Sequence, residues 1–446
     1  MSFPKDFVWG SATASYQIEG GYENGERGRT VWDDFCDRPG TILDGSNGSV
    51  ACDHYHRYKE DVQHIKDIGF GAYRLSIAWA RLLPEGTGKI NEDGVRFYNN
   101  LIDELLEKGI TPYITLFHWD LPYELFSKGG WQNPECVEWF AEYTELVAKL
   151  YGDRVKHFFT FNEPQCFIGL AHVLGIHAPG NIMSKRSVLT MAHNVLKAHG
   201  RSVQVLRALV PGAQIGIAPT STPACPETNS EADINAAREA YFDVPEQENY
   251  MWSVSWWSDP IFFGQYPEAG LKLFEADLPD FKDEDFKLIS EPIDFYGQNI
   301  YNGYTIKAGA NAAYEAVKRP LGFPRTAINW PVVPESLYWG PKFLYERYKK
   351  PIFITENGQS GTDFISLDGK IHDTDRIDFT QRYLAELERG IADGTDVKGY
   401  FAWSLIDNFE WHSGYTERFG LIHVDYQTQK RTWKDSAHWM KEFLAK

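Results

Sequence analysis

"KKPIFITENG", residues 349–358, runs from two lysines through a short apolar stretch to a single carboxylate, Glu356, set directly before an Asn-Gly turn. Six residues of this composition read as a strand, and a strand buried on both faces, because neither alternating set is polar. Glu356 shares its face with Ile354 and Ile352, so if that face points inward the carboxylate stands above a layer of core. Pro351 at the strand's first position costs no central ladder bond. Gly358, free to adopt positive φ, allows a sharp turn just after the carboxylate.

Seven other runs have the same character: 7–11, 72–79, 112–118, 155–161, 214–218, 293–301 and 397–405. Between them lie segments with helical spacing, at 55–68, 93–108, 134–151, 188–209, 334–348 and 375–392, whereas 227–279 shows no clear period. Eight doubly buried strands alternating with helices describe a parallel (β/α)8 barrel of the α/β class with long βα loops. No linker, low-complexity tract or repeat divides the 446 residues, so residues 1–446 read as one domain.

A barrel of this kind gathers its ligands at the C-terminal ends of its strands. There the third run offers His118 and Trp119 in "TLFHWDLP", the fourth Asn162 and Glu163 in "TFNEP", and the sixth Asn299 and Tyr301 in "GQNIY". The seventh offers Glu356, and the eighth Trp403, Glu410 and Trp411 in "FAWSLIDNFEW". Each alone has a plain structural explanation, such as a cap, a rim histidine or a solvated acid; together they make one polar rim. Pro164 disfavours the α region for Glu163 and is expected to hold it extended. Asn162 and Glu163 are adjacent, so either the strand breaks there or one of them faces away.

Net charge of −18 disfavours nucleic acid, anionic membrane and acidic substrates. No 18-residue apolar run occurs, and "MSFPKDFVWG" lacks a basic n-region and an apolar h-region, which predicts a soluble cytoplasmic protein. Five scattered cysteines without a CxxC fit free thiols. The 15 Trp and 24 Tyr supply rings suited to core packing and to sugar faces. Two carboxylates at an uncharged-ligand site suggest glycoside hydrolysis.

The ordered series "FVWGSATASYQIEG", "YRLSIAWARLLPEG", "LFHWDLP", "TFNEP", "GIHAPG", "ITENG", "WSLIDNFEW" and "RFGLIHVD" resembles family 1 glycoside hydrolases, the β-glucosidases, across nearly the whole chain. The resemblance implies retaining hydrolysis of terminal β-D-glucosyl residues from cello-oligosaccharides and aryl or alkyl β-glucosides, without metal or organic cofactor. It implies Glu163 as acid/base and Glu356 as nucleophile, with Arg74 and Tyr301 holding Glu356 ionised. Gln17, His118, Trp119, Asn162, Asn299, Glu410 and Trp411 would cradle the sugar, Trp403 would be its stacking floor, and Trp330 would line the leaving-group side. Glu410 would accept hydrogen bonds from the 4- and 6-hydroxyls, and its charge would repel a 6-phosphate.

Gln165 and Cys166 depart from the aromatic or small apolar residues many members carry after "NEP", and Asn329 replaces the usual Gly before Trp330; these bear on leaving-group preference. A transglycosylating enzyme, or a member preferring β-galactosides or β-fucosides, uses the same residues, and homo-oligomerisation is left open. In "CDHYHRY", Cys52, His54 and His56 might suggest metal, but i and i+2 diverge on a helix. "GGYENGERG" lacks the Lys-Ser/Thr of a phosphate loop, and Ser404 lacks a G-x-S-x-G elbow.

Overall fold

Eight parallel strands form the frame: β1 (Val8–Ala12), β2 (Ala72–Ser76), β3 (Thr111–Phe117), β4 (His157–Asn162), β5 (Gln214–Ala218), β6 (Tyr296–Asn299), β7 (Ile352–Asn357) and β8 (Val397–Trp403). In the computed structural model, which describes residues 3–22, 27–244 and 246–446, they are ordered β5-β4-β3-β2-β1-β8-β7-β6. Residues 23–26 of "GGYENGERG" lie outside the described residues, as do the first two of the opening segment. The gap between β5 and β6 is bridged by Asp294 N to Ile215 O at 2.8 Å and Asn299 N to Pro219 O at 3.0 Å, making a nearly closed (β/α)8 barrel.

The expected run 72–79 stops as a strand at Ser76, because Trp79–Leu82 is a helical turn whose apolar residues cover the barrel. The six expected helices are present to within three residues at their ends. The stretch without a clear period contains the helices Glu231–Phe242, Val254–Phe263 and Glu268–Leu273. Residues 254–261 are all buried and include Pro260, so that helix has no polar stripe for a period to reveal.

The barrel interior is aromatic. Tyr113, Phe159, Phe295, Phe353 and Phe401 form one buried cluster. Room for them comes from glycines opposite: a Cβ on Gly10 would lie 2.5 Å from the Phe401 ring, and one on Gly216 would lie 2.2 Å from Phe295. Ile352 and Ile354 belong instead to the outer core shared with the helices. The face of β7 that carries Ile352 and Ile354 therefore points outward, so the condition for Glu356 to stand above those two residues is not met, and Phe353 fills the barrel.

Two further features position the upper rim. A small sheet of Ala224–Pro226, Tyr304–Ala308 and Tyr314–Ala316 ties the loops after β5 and β6 together. Behind the loop after β8, the fully buried Lys434 donates to Asp363 at 2.5 Å and Asp407 at 2.7 Å. Arg376 also pairs with Asp363 at 2.7 Å, and Arg418 pairs with Asp407 at 2.5 Å. Asp407 stays below the usual carboxylate range despite burial, held there by Lys434 and then Arg418. Removing one partner from such a cluster strands a buried charge, a cost of about 3–5 kcal/mol.

Candidate active site

Regular alternation would not bring both glutamates to the barrel mouth, and two β-bulges do so. Along β7, Ile354 pairs with Gln298 but Glu356 with Asn299, so two residues oppose one. Thr355 and Glu356 consequently both face inward: Thr355 Oγ1 donates to Asn299 Oδ1 at 2.6 Å, and Glu356 meets Arg74. Along β4 the register slips between Phe159 and Asn162. Thr160 and Phe161 there both face the helices, Thr160 Oγ1 lying 2.7 Å from His199 Nδ1 and the Phe161 ring 4.5 Å from Phe140, which returns Asn162 to the interior.

Glu163 follows with φ of +45°, left-handed rather than extended as Pro164 led one to expect. Its N–H donates to Ala218 O at 2.8 Å across the neighbouring strand, and the break aims both Asn162 and Glu163 at the mouth. Gly358 likewise differs from expectation. It does not take positive φ; it is needed because a Cβ there would sit 1.8 Å from the Trp403 carbonyl oxygen.

Arg74, fully buried above the Phe159 ring, organises the floor. Nη1 donates to Glu356 Oε1 at 2.6 Å, Nη2 to Asn162 Oδ1 at 2.6 Å, and Nε to Thr115 Oγ1 at 3.1 Å. Tyr301 donates to Glu356 Oε2 at 2.6 Å. Asn299 Nδ2 donates to Glu163 Oε1 at 2.7 Å and to Asn162 Oδ1 at 2.9 Å. With its Oδ1 taken twice, Asn162 must present Nδ2 to His118 Nε2, 3.0 Å away. His118 thus accepts on Nε2 and carries its proton on Nδ1, a neutral ring consistent with the lowering of its pKa by burial and by Arg74.

Burial raises the pKa of both glutamates. Glu163 is pushed up to about 7 by burial and the charge of Glu356, opposed by the Asn299 and Cys166 hydrogen bonds. Glu356 is also raised by burial, opposed by Arg74 and then Tyr301. The cation lies against Glu356, so a proton shared by the pair resides on Glu163. Glu410 is pushed up to about 8 by burial and the charges of Glu356, Glu417 and Glu163.

These groups surround a cavity of about 520 Å³, within the range of small-molecule sites. His118, Trp119, Glu163, Tyr301, Trp330, Glu356, Trp403, Glu410 and Trp411 line it. Gln17, Arg74, Asn162 and Asn299 sit behind that wall; Gln17 Nε2 holds Asn408 Oδ1 at 3.0 Å and Phe409 O at 2.8 Å, beside Glu410. His118 lies near-parallel to Trp403 and Trp411, at 5.8 and 6.0 Å, and Trp119 contacts Trp411 at 4.4 Å. His118 Nδ1 and Glu410 Oε2 on the wall, and Gln17 Oε1 behind it, are buried without a hydrogen-bond partner. A hydroxyl-rich ligand supplies what such atoms lack.

Sequence reasoning missed the outer wall: Leu170, Ile176, His177, Trp252, Ile328 and Phe419. His177 was within reach, in the quoted "GIHAPG"; Trp252 lies in the stretch whose period could not be read. The metal-like trio is otherwise engaged. His54 pairs with Asp61, His56 with Asp53, and Cys52 Sγ lies 3.0 Å from Asp407 O.

Residues 1–446 match the family model described as glycosyl hydrolase family 1. The Beta-glucosidase A of Thermotoga maritima is 45% identical over 440 residues, covering 98% of this chain and 96% of that one. The 1,4-beta-D-glucan glucohydrolase of Thermotoga neapolitana is 44% identical over 443 residues, covering 99% and 98%. A solved family 1 β-glucosidase from T. maritima superposes with a TM-score of 0.91 at 43% identity, covering 99% and 98%. The same enzyme in complex with isofagomine lactam gives 0.90 at 44%, with the same coverage.

Proposed function

This chain belongs to glycosyl hydrolase family 1, a retaining family, and on that premise we propose that it removes terminal β-D-glucosyl residues from unphosphorylated aryl and alkyl β-glucosides and cello-oligosaccharides. The observation that carries the reading is the unequal provision of two carboxylates on one cavity: an arginine and a phenol on Glu356, an amide and a thiol on Glu163.

In this reading the Glu356 carboxylate attacks the anomeric carbon as Glu163 gives its proton to the departing glycosidic oxygen. Charge leaves Glu356 as the glycosyl ester forms, and Glu163, now ionised, takes a proton from the water that cleaves the ester. Arg74 and Tyr301 keep Glu356 aimed and charged between turnovers. His118, Glu410 and Gln17 answer the sugar hydroxyls, Trp403 lies beneath the ring, and Trp330 borders the aglycone. Both half-reactions use side chains alone, so we read the chain as one catalytic domain needing no metal or organic cofactor. It acts in the cytoplasm on small glycosides; no described helix is long and apolar enough to cross a membrane.

Proton NMR of the first-formed sugar tests the proposal. A β-glucoside should release β-glucose; release of α-glucose first would overturn the double displacement.

A further inference from the structure

Glu163 has one oxygen that is held as an acceptor. Asn299 Nδ2 lies 2.7 Å from Oε1, and an amide nitrogen only donates, so Oε1 remains an acceptor in either state of the carboxyl group. The amide's orientation is fixed independently, because the same Nδ2 donates at 2.9 Å to Asn162 Oδ1, an oxygen that Arg74 marks as an acceptor. The carbonyl oxygen of a carboxylic acid is its stronger acceptor, so a proton on Glu163 is favoured on Oε2. Within reach of that oxygen is Cys166 Sγ, at 3.1 Å.

Cys166 is buried, lines the same cavity, and is fixed by the turn that follows Glu163, its N–H donating to Glu163 O at 2.9 Å. Its side chain differs from the amide in being both a weak donor and a weak acceptor. Burial and the charge of Glu163 push its ionisation well above the ordinary range, so it stays a thiol and is no nucleophile.

We propose that Cys166 is a positioning residue for the catalytic proton: its thiol accepts from Oε2–H while Glu163 is an acid and donates to Oε2 once the proton has passed to the glycosidic oxygen. The S–H proton never leaves sulfur. It turns toward Oε2 as that oxygen becomes anionic, and turns away again when Oε2 recovers a proton from the attacking water. The inference rests on the acid/base reading of Glu163.

Donation to the anion is charge-assisted and outweighs acceptance from the neutral acid, so the thiol lowers the pKa of Glu163 and its removal raises it. Cys166→Ala and Cys166→Val should move the basic limb of kcat/KM to higher pH by about half a unit, the size of a weak neutral hydrogen bond. Cys166→Ser, which keeps both capacities, should leave the limb at or below its wild-type position. The Ala and Val variants should also lose more rate on alkyl glucosides than on dinitrophenyl glucoside. A limb unmoved in both Ala and Val would overturn the proposal, and so would a limb raised equally in Ser. The S–H stretching band of the unmodified protein gives a reading that needs no variant: one component should shift as pH crosses the basic limb, and a static spectrum would count against the thiol's change of role. Glu163→Ala separates the two levels. Equal losses on good and poor leaving groups would remove the acid/base reading itself, whereas unequal losses with a static limb in the Cys166 variants would remove only this inference.

Discussion

The ends of β4 and β7 are built alike and equipped differently. Each strand bulges just below the mouth, β7 turning an extra side chain inward and β4 an extra one outward, and each delivers a buried glutamate to one cavity. At β7 the glutamate meets a guanidinium and a phenol; at β4 it meets a carboxamide and a thiol. Backbone geometry brings the two carboxyl groups together, and the partners decide which is an anion. Identical functional groups at equivalent places on a frame can thus take opposite parts in a reaction.

The comparison can be broken by removing one member at a time. Loss of the anion should be the most severe: Glu356→Ala is expected to reduce kcat on every glucoside by on the order of 10⁵-fold or more, and turnover within tenfold of wild type, after contamination is excluded, would show that Glu356 is not the nucleophile. Glu163→Ala should be smaller and selective, about 10²–10⁴-fold on alkyl glucosides and far less on dinitrophenyl glucoside in the glycosylation step. A matching pH signature is expected. Glu163 must be protonated to act as an acid, so activity should fall as pH rises through its elevated value near 7, and Glu163→Gln should abolish that limb. A limb that survives in Glu163→Gln belongs to some other group. Tyr301→Phe sharpens the contrast most finely. It removes one charge-assisted hydrogen bond while Arg74 remains, and kcat/KM should fall by about 10- to 100-fold, whereas a neutral result would assign the control of Glu356 to arginine alone.

Much of this was legible because strand ends and polar residues coincide in the sequence: the bounds of β5 match its apolar run, and Glu356, Glu163, Trp403 and Glu410 all lie within five residues of the ends of their runs. What was misread lies at irregular strand ends. Alternation ties Glu356 to the face of Ile354, which the bulge in β7 separates, and the restriction that Pro164 places on Glu163 is met by a left-handed backbone rather than an extended one. Gly358 suggested a turn when the determinant was a carbonyl from β8, a contact between residues distant in sequence. Trp252 and Phe419 come from loops whose course depends on tertiary contacts, and no local period announces them.

The buried cluster around Lys434 imposes an order on biosynthesis. Lys434 follows Asp363 by 71 residues and Asp407 by 27, so a growing chain completes both acids, and their partners Arg376 and Arg418, before the cation that joins the two pairs exists. Until Lys434 emerges from the ribosome and docks, the segment bearing Glu410 and Trp411 rests on Asp407 and Arg418 without the lysine that ties that pair to Asp363. The sugar cradle is therefore among the last parts of the nascent enzyme to set, and an incompletely translated chain has a barrel wall before it has a catalyst.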